Sequence, residues 1–232
     1  MTELKLSKLE PFAVGGRREC YVHPSDASKC VKVLRTDKNV SARRKKLFVP
    51  SVLRRRYDNN EDERRVLNKL EKRIGKGMQL HIPLCYGYEP TDLGPGLVLD
   101  LVRDTDGKIS RSLREHFYQN LHPLEFKDGF DELTRFLCQH NIITRNLLDH
   151  NLVASKQADG SWQIYIIDGF GDPALLPIAQ WSRTMGRMKI KRISRRAWAR
   201  FQVFYETRRQ NGAAIHHMRD GQTWSPGVLR HR

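Results

Sequence analysis

The feature that constrains this chain most is a change of hydrophobic period near its middle. Up to Val102 the apolar residues keep largely to strand-like patterns. Beyond residue 110 they recur at helical spacing. Residues 5–35 predict a Gly-containing turn between two strands, "LEPFAVGG" and "ECYVH", then a hairpin through "PSDAS" into a third strand, "KCVKVLR". A basic segment follows, with nine Lys/Arg and one Asp between Arg35 and Arg56, and reads as a loop or irregular helix. "NNEDERRVLNKLEKRIG" predicts a helix capped by Asn60, with acids in its first turn and Val66, Leu67, Leu70 and Ile74 on one side. Residues 79–102 predict two strands around a Gly/Pro turn.

After the polar linker "RDTDGKIS" come helical patterns at 110–121 and 129–140, the second aligning Phe130, Leu133, Phe136 and Leu137. Two short strands, "NLVAS" and "QIYIID", flank a "QADGS" turn, and a basic stretch of helical period begins at Arg183. The order defines an α+β, two-lobed arrangement. A β-rich N-terminal lobe occupies 1–102, a shortened helical C-terminal lobe 103–205, and a basic, flexible tail 206–232.

Composition narrows the function classes. A formal net charge of +16 predicts attraction to polyanions, whether nucleic acid, an anionic membrane face or phosphorylated ligands. Cys20, Cys30, Cys85 and Cys138 are widely spaced, which argues for reduced thiols rather than a disulfide framework. No apolar run is long enough for a signal peptide or a membrane span, so a cytoplasmic, bacterial protein is expected.

Four residues fall in the order that phosphoryl-transfer enzymes of the kinase type require. Lys32, mid-strand in "CVKVL", is placed to reach nucleotide phosphates, and Glu63 on the following helix to hold that lysine by an ion pair. Asn151 offers an amide oxygen, and Asp168 a carboxylate at a strand end, to a metal that bridges the phosphates. Each alone has a plain structural reading: a solvated lysine, an exposed helix carboxylate, an Asp-Gly turn. Their common order is what points to a site.

Three phrases carry a family resemblance: "GGRRECYVHPSDASKCVKV", "NIITRNLLDHNLV" and "IIDGFGDPALLPIAQWSR". In these the chain resembles the PhoP-regulatory-network (YrbL-type) protein family from about residue 5 to about residue 205. The resemblance implies a reduced protein-kinase-like fold, with ATP and Mg²⁺ as cofactors. Lys32, Glu63, Gly15 and Gly16 would serve the nucleotide, Asn151 and Asp168 the metal, and Asn146 with Asp168 the catalytic positions.

The chain also departs from the kinase pattern. Gly15 and Gly16 remain of the glycine-rich loop, while Ala13 and Arg18 stand at its outer positions, where Arg17 or Arg18 could meet phosphate directly. Asn146 replaces the catalytic aspartate, and an amide cannot accept a proton; losing a general base costs about 10²–10⁴-fold in rate. Asp149 and Asp172 are the substitutes available nearby. "DGFG" in place of "DFG" moves the hydrophobic plug to Phe170, and no "APE" segment follows. A standard peptide-substrate platform is therefore not expected.

Arg183 to Arg209 contains ten Lys/Arg and one acid, Glu206, with Ile190, Ile193, Ala197, Phe201 and Phe204 at helical spacing. That pattern suits a packed terminal helix and also an anionic partner, nucleic acid or membrane surface. The favoured expectation is a kinase-like nucleotide-binding regulatory protein, a pseudokinase or weak atypical kinase. The alternatives are a noncatalytic polyanion- or partner-binding module on the same scaffold, and a small-molecule kinase using an unrecognised base. Acceptor, signal and oligomeric state are not encoded in any readable motif.

Overall fold

The structure is a computed structural model that describes residues 3–35, 59–170 and 182–210. The basic segment after Arg35, Asp172, the remainder of "GFGDPALLPIAQW" beyond Phe170, and the tail beyond Gln210 lie outside the described residues. The described residues fall into two compact units. One holds those up to Lys72 together with Leu84–Leu101; the other holds Arg73–Pro83 and those from Val102 onward.

The first unit is a five-stranded antiparallel sheet: β1 (Ala13–Val14), β2 (Arg18–His23), β3 (Asp26–Leu34), β4 (Cys85–Thr91) and β5 (Gly94–Asp100), in the order β1-β2-β3-β5-β4. Tyr21, Val31, Val33 and Val98 form a core with Leu6, against which Leu4 and Leu93 pack. Gly96 is required there, because a Cβ on β5 would drive into the Val31 and Thr91 methyls. The N-terminal segment is pinned by Asp92, whose carboxylate accepts from the Leu6 N–H at 2.8 Å and the Ser7 hydroxyl at 2.6 Å. Helix α1 (Asn59–Ile74) buries Leu67 and Leu70 of the expected stripe and leaves Val66 and Ile74 half-buried.

The second unit contains a three-stranded antiparallel sheet, β6 (Arg111–Ser112), β7 (Leu152–Lys156) and β8 (Trp162–Ile166), with helices α2 (Leu113–Tyr118), α3 (Lys127–Gln139) and α4 (Arg183–Gln210). Ser112 starts α2 with a reciprocal capping box: its backbone N–H donates to Glu115 Oε2 at 2.8 Å, and its Oγ accepts from the Glu115 N–H. The chain leaves α2 through Asn120 at φ 64°, so the helix expected over 110–121 is shorter than its apolar pattern. Gly129 lets α3 lie directly on β8, since a Cβ there would land on the Trp162 carbonyl oxygen.

Aromatic rings fill the space between the helices. Phe130 meets Trp198 and Phe201 with centroids at 5.4 and 5.6 Å, and Phe117 meets Phe201 at 5.9 Å. These contacts hold α4 by Ile190, Ala197 and Phe201, while Ile193 and Phe204 are half-buried. The helix continues across the boundary expected at 206, and Arg208 donates to the Tyr118 carbonyl at 3.1 Å. The expected α+β class is thus present, with a β-rich N-terminal sheet and a helical C-terminal part. No helix among the described residues is long and apolar enough to cross a membrane.

Candidate functional site

Lys32 owes its place to strand pairing. β3 is a central strand, with Lys32 opposite Cys20 on one side and Leu97 on the other, and only 8% of the residue is exposed. Its ammonium donates to Glu63 Oε1 at 2.7 Å across 31 residues of sequence. Glu63 is itself buried, and its second oxygen accepts from Arg18 Nη1. One carboxylate is therefore shared by two cations.

Asn60 completes this cluster. Its amide N–H donates to the Lys32 carbonyl at 2.9 Å, and its Oδ1 lies 3.3 Å from Arg18 Nη1. One expectation is corrected here: Asn60 does not cap α1, because the helix already begins at Asn59 and the amide is committed to β3. Of the two arginines named as able to meet phosphate, Arg18 begins β2 and turns its side chain onto Glu63. The turn itself is short, with the Gly15 N–H on the Arg18 carbonyl at 2.7 Å and the Gly15 carbonyl held by Arg35 at 3.1 Å. A Cβ on Gly16 would meet nothing within 4 Å among the described residues, so no packing demand from those residues explains that glycine.

In the second unit a strand hairpin brings Asn151 and Asp168 side by side. β7 and β8 pair Leu152 with Ile166, and the Ile167 N–H then donates to the Asn151 carbonyl at 3.0 Å. Asp168 caps the following turn by accepting the Gly169 N–H at 2.6 Å. Gly169 has φ +87°, and a Cβ on it would sit 3.1 Å from Asn151 Nδ2 and 3.3 Å from the Asn146 carbonyl oxygen. The inserted glycine thus lets the Asn151 amide and the Asn146 backbone close around the turn that carries Asp168. Arg145 N–H donates to the Gly169 carbonyl at 2.9 Å, and Thr144 bridges to Phe170, which is buried. Asn146 is exposed.

Asp149 is not available as a base. Burial alone would raise its carboxyl, but hydrogen bonds from His150 and Arg114 and their charges hold it down to about 2. Arg114 grips it with both ends of the guanidinium fork, at 2.7 and 2.6 Å. A group so acidic is a poor proton acceptor near neutral pH, and its role is to tie α2 to the turn before Asn151. Three of the cysteines are poor sources of thiolate: burial pushes Cys30 up to about 12 and raises Cys85 and Cys138.

No group of three or more His, Cys, Asp and Glu able to hold a metal occurs among the described residues. The pair that is present, one carboxylate and one amide, supplies hard oxygens. That donor set fits Mg²⁺, which binds proteins through one or two carboxylates and takes its remaining ligands from phosphates and water. The sequence suggested other roles for Arg18 and Asn60, and nothing in it pointed to Arg114. Asn60 could have been found, since it lies three positions before Glu63 on the same helix face.

An antiparallel sheet carrying a buried lysine–glutamate pair, and a helical unit with an Asn–Asp pair at a hairpin end, define an α+β protein with two polar clusters drawn from distant sequence. Its family follows from the chain as a whole: it belongs to the PhoP regulatory network protein YrbL family, whose model matches residues 4–202. It is similar to the Escherichia coli (strain K12) protein named "Uncharacterized protein YrbL", with 27% identity over 203 residues covering 85% of this chain and 86% of that one. The protein of the same name from Shigella flexneri matches to the same extent.

Proposed function

We propose that the protein is a kinase-like nucleotide-binding regulator, in which Lys32 holds the phosphates of Mg-ATP and Asn151 with Asp168 holds the metal. The observation that supports this most is the buried Lys32–Glu63 pair at 2.7 Å. Buried ion pairs contribute little net stability, so a fold has small reason to keep one for its own sake. A lysine fixed on a central strand by a helix glutamate is instead what phosphate positioning requires.

Asn151 and Asp168 would hold a magnesium ion, which would supply positive charge against the phosphates. Glu63 and Asn60 orient Lys32, and Gly169 leaves room for the amide of Asn151 beside Asp168. Asn146 can orient a hydroxyl but cannot take its proton, and Asp149 is locked on Arg114. Binding without efficient transfer, a pseudokinase, is therefore favoured over a weak atypical kinase. Membership of the PhoP regulatory network family suits a protein whose nucleotide occupancy is read by a partner.

Thermal-shift titration with Mg-ATP tests this reading. Wild type should gain stability as RT ln(1 + [L]/Kd), about 2.7 kcal/mol at a hundredfold excess over Kd. Lys32→Ala and Asp168→Ala should each abolish the gain. A wild-type melting temperature unmoved by millimolar-range nucleotide would overturn the proposal.

A further inference from the structure

We propose that the outward face of α4 is a docking surface for anionic phospholipid membranes, independent of the nucleotide reading. The inward line of α4, Gly186, Ile190, Ser194, Ala197 and Phe201, is buried within its own unit. With 100° between successive residues, the side opposite Ile190 presents Met188, Arg192 and Arg195, flanked by Met185, Lys191 and Arg196. Lys191, Arg192, Arg195 and Arg196 are all exposed, and none forms an ion pair among the described residues. The helix contains a single acid, Glu206, and that carboxylate accepts from Arg209 at 3.1 Å.

Charge alone would suit any polyanion. The apolar residues on the same strip decide between partners. Met188 is 67% exposed, Met185 50% and Val203 65%, in a helix that has already buried its aromatic side. Such side chains gain nothing along a sugar–phosphate backbone. Between lipid headgroups they reach the acyl boundary while the arginines and Lys191 meet phosphates. Because the Phe201 line is committed to packing, the helix binds by this outer strip and stays docked on its unit.

The experiment is co-sedimentation of the full chain with phosphatidylcholine vesicles with and without phosphatidylglycerol, across a salt series, beside fluorescence binding to duplex DNA and RNA. Binding should require phosphatidylglycerol and weaken steeply with salt. The triple variant Arg192→Glu/Arg195→Glu/Arg196→Glu, whose sites are exposed, should lose roughly 100-fold or more in vesicle affinity at an unchanged melting temperature. Met185→Ser/Met188→Ser should lose about tenfold on vesicles and leave any nucleic-acid binding unchanged. The proposal is overturned by no wild-type binding to anionic vesicles at low salt. It is equally overturned by vesicle affinity that ignores both variants, or by duplex binding that is tighter than vesicle binding and carries all the sensitivity to the triple variant.

Discussion

Glu63 is the residue on which the first cluster turns. It faces Lys32 and Arg18 at once, so Glu63→Gln leaves two buried cations with an amide in place of their shared carboxylate. Breaking a buried charge contact from one side costs about 3–5 kcal/mol, and the melting temperature of Glu63→Gln should fall by roughly 6–20 °C. A loss too small to detect by calorimetry would mean that the carboxylate is solvated in solution. The pair itself was legible in the sequence only through the common order of Lys32, Glu63, Asn151 and Asp168, since each alone has a plain structural reading. Arg18 was not. Its neighbours Gly15 and Gly16 suggested a loop, whereas strand pairing with Leu34 starts at Arg18 and fixes the direction of its side chain. Asp149 misled for a related reason: spacing gives its distance from Asn146 along the chain, but the Arg114 that neutralises it lies 35 residues away.

Two glycines separate packing from ligand approach at the level of elements. Gly129→Ala places a methyl on the Trp162 carbonyl and must push α3 off β8, so a loss of at least ~2 kcal/mol in chemical denaturation is expected. Gly16→Ala meets nothing within 4 Å among the described residues and should leave stability within about 0.5 kcal/mol of wild type. If the β1–β2 turn closes over a nucleotide, the same substitution should still weaken Mg-ATP binding measurably by calorimetry. Helices and hairpins were readable because their apolar periods and turn residues are local. β6 was invisible: it is two residues long and exists only by pairing Arg111 with Ala154 and Ser112 with Val153. The length of α2 was overread for the same reason, since its end is set by the left-handed Asn120 and not by loss of apolar pattern.

Groups buried in the second unit give the molecule a part of its pH dependence. Burial lowers the pKa of His81 and of His116, which sits between Phe126 and Trp162 with ring centroids at 5.1 and 4.9 Å. Both fold neutral, so the unfolded chain takes up protons that the native state refuses. Stability is therefore full above the ordinary histidine range and falls as pH drops below it. Asp149 acts in a lower window. Its carboxyl is depressed from 3.8 to about 2, so its contribution, on the order of 2 kcal/mol, is present above pH 4 and lost on acidification toward 2. Melting temperature against pH should thus decline in two steps. His116→Phe should flatten the upper step and Asp149→Asn the lower, and an acid limb unaffected by either would contradict this assignment.

The two polar clusters come from separate units, and the proposed function requires them to act on one nucleotide. The decisive measurement is a crystal structure with a non-hydrolysable ATP analogue and Mn²⁺ in place of Mg²⁺, located by its anomalous signal. The account predicts a metal peak about 2.1 Å from oxygens of both Asn151 and Asp168, with the Lys32 ammonium on a phosphate of the same nucleotide. A nucleotide bound elsewhere, or a metal that touches neither residue, would contradict it.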